Sequence, residues 1–107
     1  MRDYFKVLEI ELESGKSRVH RVDGRNSVAG GSGLAAHLYT RFGKPDLEWD
    51  DPGQPFILAI GPLTGMYPLM SKTVCAFVSP YHNQYTESHA GGRSALALFF
   101  AGYDALV

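Results

Sequence analysis

The stretch His89-Ala90-Gly91-Gly92-Arg93 gathers residue types that bind anions. Free backbone N–H groups in a flexible glycine turn at the mouth of a helix make an anion site, and the Arg93 guanidinium would reinforce it. Lys72 opens a predicted strand, where a cation would serve the same anion if that strand lies next to Gly91. Sequence leaves the adjacency open. It also leaves a competing reading of Gly91 and Gly92, in which the two glycines let a helix pack closely on a sheet.

Other constellations carry less chemistry. Glu87 and His89 stand two apart, hence on one face of a strand, with His82 in the preceding turn. A metal site is conceivable there, and a surface His–Glu pair is the simpler reading. His20 and His37 have no comparable company and read as solvated or capping residues. Gly31, Gly33 and Ala36 share the spacing of a dinucleotide-binding fingerprint, but no hydrophobic strand leads directly into them. A tight turn with Ser32 capping the next helix is preferred. "SGKS" lacks the earlier glycine of a phosphate-binding loop, because Ile10 occupies that position. No Gly-x-Ser-x-Gly elbow occurs. Cys75 has no local His or Asn partner and reads as a small buried apolar side chain. As the chain's single cysteine it excludes an internal disulfide, a cysteine-based zinc site and a four-cysteine iron–sulfur cluster held by this chain alone.

The elements that must position these residues follow from periodicity. At 107 residues the chain reads as one domain, 1–107. Hydrophobic residues at 45%, charged residues at 20% and a formal net charge of -1 point to no nucleic-acid or membrane partner. The N-terminus is unlike a signal peptide and the apolar run Ala95 to Ala101 is too short to span a bilayer, so a cytoplasmic setting is expected. In "LEIELE", Leu8, Ile10 and Leu12 alternate with Glu9, Glu11 and Glu13, predicting a strand with the apolar three inward and the acids in water. Ser14 and Gly15 mark a turn. "KSRVHRV" is the return strand, with Lys16 and Arg18 across from the glutamates.

Leu34, Leu38 and Phe42 recur every four residues as the stripe of a short helix, which Gly43 and Pro45 stop. "KPDLEWDDPGQP" is a surface loop before the buried strand "FILAI" and the turn "GPLTG". Lys72 to Val78 and Tyr85 to His89 are strands around a turn at Ser79 to Gln84. The segment Ala95 to Phe100 is apolar on every side, so a helix there is expected to be buried all round. No internal repeat or low-complexity tract interrupts the chain. The predicted fold class is α+β, with two short helices and a mostly antiparallel or mixed sheet.

"AGGSGLAAHLY", "FILAIGPLTG", "VSP", "AGG" and "FAGYDALV" stand in the order and approximate spacing of the N-terminal domain of the aldehyde ferredoxin oxidoreductase family. "VLEIELESGKSRVHRV" resembles that family's first hairpin. The resemblance covers nearly the whole chain, and "GPLTG" with "FAGYDALV" is its most specific part. It implies the first half of a pseudo-two-fold domain belonging to a tungsten- or molybdenum-pterin enzyme. Such an enzyme oxidises aldehydes to carboxylic acids and passes electrons through a [4Fe-4S] cluster to ferredoxin. In the family two pterins chelate the metal above this β-rich base, while cluster cysteines and acid–base residues lie in later, mainly helical domains that are absent here.

By the same resemblance, the family's basic pterin contact, normally arginine, falls at Lys72, which keeps the charge without the bidentate fork. The family's Asn-Ser-Gly-Gly corresponds to His89, Ala90, Gly91 and Gly92. Its asparagine offers a main-chain carbonyl to a magnesium ion bridging the pterin phosphates, a role that His89 keeps because every residue has a carbonyl. Ser32 stands where the family usually has arginine. The implied cofactor-binding set is Lys72, His89, Gly91, Gly92 and Arg93, with no catalytic residue on this chain. Its expected partners are the remaining domains or a catalytic subunit, a second copy forming a homodimer, and ferredoxin through the complete enzyme. The expectation is a fragment, a truncated product or one subunit of a split enzyme, inactive alone. The alternative is a non-catalytic relic or accessory module acting through dimerisation or protein binding.

Overall fold

Alternation, turn glycines and one helical stripe produce strands β1 (Tyr4–Glu11) and β2 (Lys16–Asp23), helix α1 (Ser32–Phe42), strands β3 (Ile57–Ile60), β4 (Thr73–Val78) and β5 (Tyr85–Ala90), helix α2 (Ser94–Ala101) and the short strand β6 (Ala105–Leu106). The structure is a computed structural model that describes residues 4–23, 30–44, 46–66 and 69–107. One six-stranded sheet runs in the order β2-β1-β6-β3-β4-β5. β1 and β6 are parallel and the other pairs antiparallel, so the sheet is mixed and the α+β expectation holds. No helix among the described residues is long and apolar enough to cross a membrane.

The opening hairpin has the expected register. Glu9 lies opposite Arg18 and Glu11 opposite Lys16, with Gly15 at φ 72 in the turn. Opposite charges so placed contribute about 0.2–1 kcal/mol. The buried side of β1 is the reverse of the expected one. Phe5 and Val7 are buried, whereas Leu8 is half-buried, Ile10 is exposed and Leu12 is 91% exposed. Period-2 alternation places Leu8 and Ile10 together but does not say on which face a helix lands. α1 lands on the other one. Its Leu34, Ala35 and Leu38 form the core with Phe5, Val7, Val22, Ile57, Ala59, Val74, Ala76 and Ala105.

Glu9 consequently sits on the helix-covered side, at its rim, and meets His20 there. His20 Nε2 and Glu9 Oε2 are 3.0 Å apart, and the His20 ring makes an edge contact with Phe42 at 5.5 Å between centroids. His20 is therefore a partly buried paired residue, correcting its reading as solvated or capping. α1 ends as expected, with the Gly43 N–H donating to the Tyr39 carbonyl. Pro45, the second stop residue, lies outside the described residues.

Directly paired residues share a face, so the side opposite α1 can be read across the strands. Val19, Leu8, Leu106, Leu58 and Cys75 form a continuous row from β2 to β4. Phe56 and Phe77 extend this apolar surface, their rings 6.1 Å apart. Val19 is 55% and Phe56 56% exposed, and Cys75 is half-buried.

α2 departs from expectation. Of its eight residues only Ala95 is buried, and Phe100 is 78% exposed. An all-apolar segment satisfies its backbone as a helix whether or not its sides are covered, and here one side is. The helix stops at Gly102, in the left-handed region at φ 92, whose N–H reaches the Leu98 and Phe99 carbonyls.

The "GPLTG" turn is wedged between the two helices. Pro62 Cδ stands 3.0 Å from where a Cβ on Gly30 would lie, and the Phe99 ring stands 2.9 Å from where a Cβ on Gly65 would lie. Gly65 also has φ 77, a conformation that disfavours any side chain. Gly65→Ala should lower stability by about 2–4 kcal/mol through backbone strain and the displaced ring. Gly15→Ala, with similar φ and open space, should cost only about 1–2 kcal/mol. Urea unfolding of both variants measures this, and equal losses would refute the Phe99 contact.

Candidate anion-binding site

The pairing of β4 with β5 settles the adjacency that sequence leaves open. Thr73 lies opposite Ala90, so Lys72 and Gly91 leave neighbouring strand ends side by side. The hydroxyls of Thr73 and Ser94 share a 2.8 Å hydrogen bond, which fastens the start of β4 to the first turn of α2. Lys72, Gly91, Gly92 and Arg93 thus line one pocket of about 670 Å³. Met66, Leu69 and Leu96 supply its apolar wall.

The donors suit an anion. Arg93 is the N-cap residue of α2, and no side chain caps this helix, which leaves first-turn N–H groups without an intrahelical acceptor. Gly92 has φ 102, so glycine is required there by conformation. Nothing lies within 4 Å of where a Cβ on Gly91 or Gly92 would stand, so neither glycine serves close helix–sheet packing. That finding overturns the packing reading. Lys72 and Arg93 form no ion pair with a carboxylate among the described residues.

His89 is not among the residues lining the pocket; its imidazole turns to Glu87, with Nε2 3.5 Å from Oε2. The expected His–Glu pair therefore forms. His82 is exposed in its turn, and among the described residues no three His, Cys, Asp or Glu side chains converge as a metal-binding group.

Ser32 does not cap α1. Gly31 holds the N-cap position without a side-chain bond, Ser32 is the first helical residue, and its hydroxyl donates to Glu87 Oε2 at 2.9 Å. Two positive-φ glycines, Gly30 and Gly31, make the turn and push the serine one position into the helix.

Glu87 is the residue that sequence reasoning undervalued. It accepts from the Tyr85 hydroxyl at 2.7 Å as well as from Ser32, and Tyr85 packs its ring 4.9 Å from that of Tyr39 on α1. The alternation Tyr85, Glu87, His89 marks one strand face, but nothing local announces a partner 55 positions away. Burial of the carboxyl works to raise its pKa, and the hydrogen bonds from Tyr85 and Ser32 with the nearby His89 outweigh it, so the value is lowered. Burial first, and then the bond to Glu87, push the Tyr85 phenol above its ordinary value.

A mixed six-stranded sheet with a cationic glycine pocket at one end defines an α+β domain. Residues 7–107 match the family described as aldehyde ferredoxin oxidoreductase, N-terminal domain, and the chain belongs to that family. It is 30% identical over 105 residues to the tungsten-containing aldehyde ferredoxin oxidoreductase of Pyrococcus furiosus, across 95% of this chain and 17% of that protein. It is also similar to a solved structure, the active site complex BamBC of benzoyl coenzyme A reductase with 1,5-dienoyl-CoA. There the TM-score is 0.79 at 29% identity, over 96% of this chain and 17% of that one. The chain thus spans 17% of the length of each relative.

A carboxylate with a lowered folded-state pKa stabilises the fold fully above the ordinary glutamate value, about 4.3, and loses that contribution as pH falls through the lowered value. Glu87→Gln should therefore be less stable than the parent at pH 7, with the gap closing as pH falls below the ordinary glutamate value, about 4.3. Urea midpoints from pH 7 downward through that value test this; a gap that does not narrow as pH falls below about 4.3 contradicts it.

Proposed function

We propose that this chain is the cofactor-cradling portion of an aldehyde ferredoxin oxidoreductase-type enzyme, the first half of its N-terminal domain. The observation that carries the reading is the convergence of Lys72, Gly91, Gly92 and Arg93 on one pocket beside an apolar wall. Family membership and the tungsten-containing relative support it.

The residues present fit an organic phosphate such as a phosphorylated pterin cofactor. Lys72 would hold the phosphate as a point charge and Arg93 as a planar fork, with the Gly91 and Gly92 N–H groups approaching closely because no side chain intervenes. Met66, Leu69 and Leu96 would exclude water from the organic body. The His89 main-chain carbonyl would be a ligand for a magnesium ion that accompanies the cofactor, as the family pattern implies. A bound tungsto- or molybdo-bispterin would supply the redox chemistry that oxidises an aldehyde to a carboxylic acid. This chain's own residues bind, orient and shield it.

Acid–base residues, the [4Fe-4S] cluster and the contact with ferredoxin belong in this reading to the remaining domains or a catalytic subunit. The uncovered sheet face and exposed side of α2 would take that further protein. Relatives named for aldehyde oxidation and for benzoyl coenzyme A reduction match the same region equally, which supports cofactor holding as the shared role and leaves aldehyde chemistry resting on family analogy.

Tungsten, molybdenum and pterin per chain, measured on protein from a host that makes the cofactor, test the proposal. Stoichiometric metal and pterin are expected, lost in a Lys72→Ala, Gly91→Val double variant that still folds, and retained in Lys72→Arg. Their absence from the unaltered chain would overturn cofactor holding. Aldehyde oxidation by the isolated chain at the rate of a complete enzyme would overturn the division of labour.

A further inference from the structure

The turn carrying Gly91, Gly92 and Arg93 has little to hold its shape. Its strand, β5, lies at the sheet edge and is bonded on one side, to β4. No atom packs within 4 Å of the Cβ positions of Gly91 or Gly92. Glycine backbone loses more conformational freedom on ordering than any other residue, so the shape offered to an anion depends on anchors at the two ends of the turn.

On the α2 side the anchor is the hydroxyl bond between Thr73 and Ser94, at 2.8 Å. On the β5 side it is Glu87. One oxygen of its carboxylate accepts from Ser32 Oγ at 2.9 Å and lies 3.5 Å from His89 Nε2, while the other accepts from Tyr85 at 2.7 Å. Ser32 opens α1, whose Leu34 and Leu38 are fully buried and fix that helix on the sheet. His89 stands two residues before Gly91. The carboxylate therefore runs from a helix packed into the core to the edge of the glycine turn, and hydrogen bonds to a charged acceptor are the stronger kind.

We propose that Glu87 is a positioning residue for the anion site: by holding Ser32 and His89 on one carboxylate oxygen, it ties the glycine turn to α1 and sets how Gly91, Gly92 and Arg93 meet a phosphate. The proposal rests on the reading of this pocket as phosphate-binding. Glu87 itself does not line the pocket and acts through the turn.

The test uses the full 107-residue chain, with NMR order parameters of the Gly91 and Gly92 amides and NMR titration with inorganic phosphate. Glu87→Ala should lower the order parameters of those two amides from about 0.85 to below about 0.6 and weaken phosphate binding about five- to tenfold, while the amides of Val7 and Leu38 keep rigid values. Glu87→Gln, which keeps an acceptor for Ser32, should recover part of both. Ser32→Ala should add little in the Glu87→Ala background, the coupling expected of two groups acting through one bond. Ser88→Ala, on the opposite face of the same strand, should change neither readout. Unchanged order parameters at Gly91 and Gly92 in Glu87→Ala, or unchanged phosphate affinity, overturn the proposal. Lower order parameters there, with a parent chain that does not respond to phosphate, overturn the pocket reading and leave the tie between Glu87 and the turn standing.

Discussion

The sheet depends on the two-residue strand β6 at its centre. Asp104 donates its N–H to the Lys6 carbonyl and accepts from Ile60 N–H, while Val107 donates to Leu8 and accepts from Ile10. The Asp104 carboxylate also takes the Lys6 N–H at 2.8 Å. These bonds splice the hairpin β1–β2 to the meander β3–β4–β5, which otherwise share no ladder. Without them the core row Val7, Ala105, Ala59, Val74 has no middle, and α1 has no single surface on which to bury Leu34 and Leu38. The most distant pieces of the chain must therefore meet before any face of the sheet exists, a topology of high contact order.

That constraint also places the pocket. α2 leaves edge strand β5 and must deliver the chain to the central β6, so it crosses the end of the sheet from β5 towards β3. The crossing brings its N-terminus beside the start of β4, where Thr73 catches Ser94, and its far end beside "GPLTG", where Gly65 admits Phe99. Lys72 and the glycine pair come together because of where the last strand must go, and not through any contact of their own.

Local signals reached the elements and stopped at their faces. The hairpin register, the α1 stripe with its Gly43 stop and the strand order along the chain follow from period and turn chemistry. The choice of buried face on β1 does not, because both faces are apolar: Phe5 and Val7 compete with Leu8 and Ile10, and the winner is decided by where α1 docks. In α2 the uniform apolarity is legible, but its burial depends on what lies beyond each side. The site was legible as residue types at Lys72 and Gly91 to Arg93. The role of Glu87 was not, since its three partners come from two elements and chemistry alone does not reveal which carboxylate reaches which hydroxyl.

Ser32 and His89, two of the positions at which the chain departs from the pattern implied by the family resemblance, meet at the Glu87 carboxylate, so these two departures are physically coupled. A serine hydroxyl and an imidazole on one carboxylate oxygen bridge α1 and β5, whereas an arginine at position 32 would bring a full charge and a long reach to the same place. Here the full charges instead stand at Lys72 and Arg93, on the pocket wall. The electrostatic field available to an anion is thus concentrated at the glycine turn, and the bond that orients the turn is kept outside the pocket. Because a phosphate would compensate charge at Lys72 and Arg93 without disturbing Glu87, binding and positioning are separable on this scaffold: one set of residues supplies the attraction, the other the geometry in which it acts.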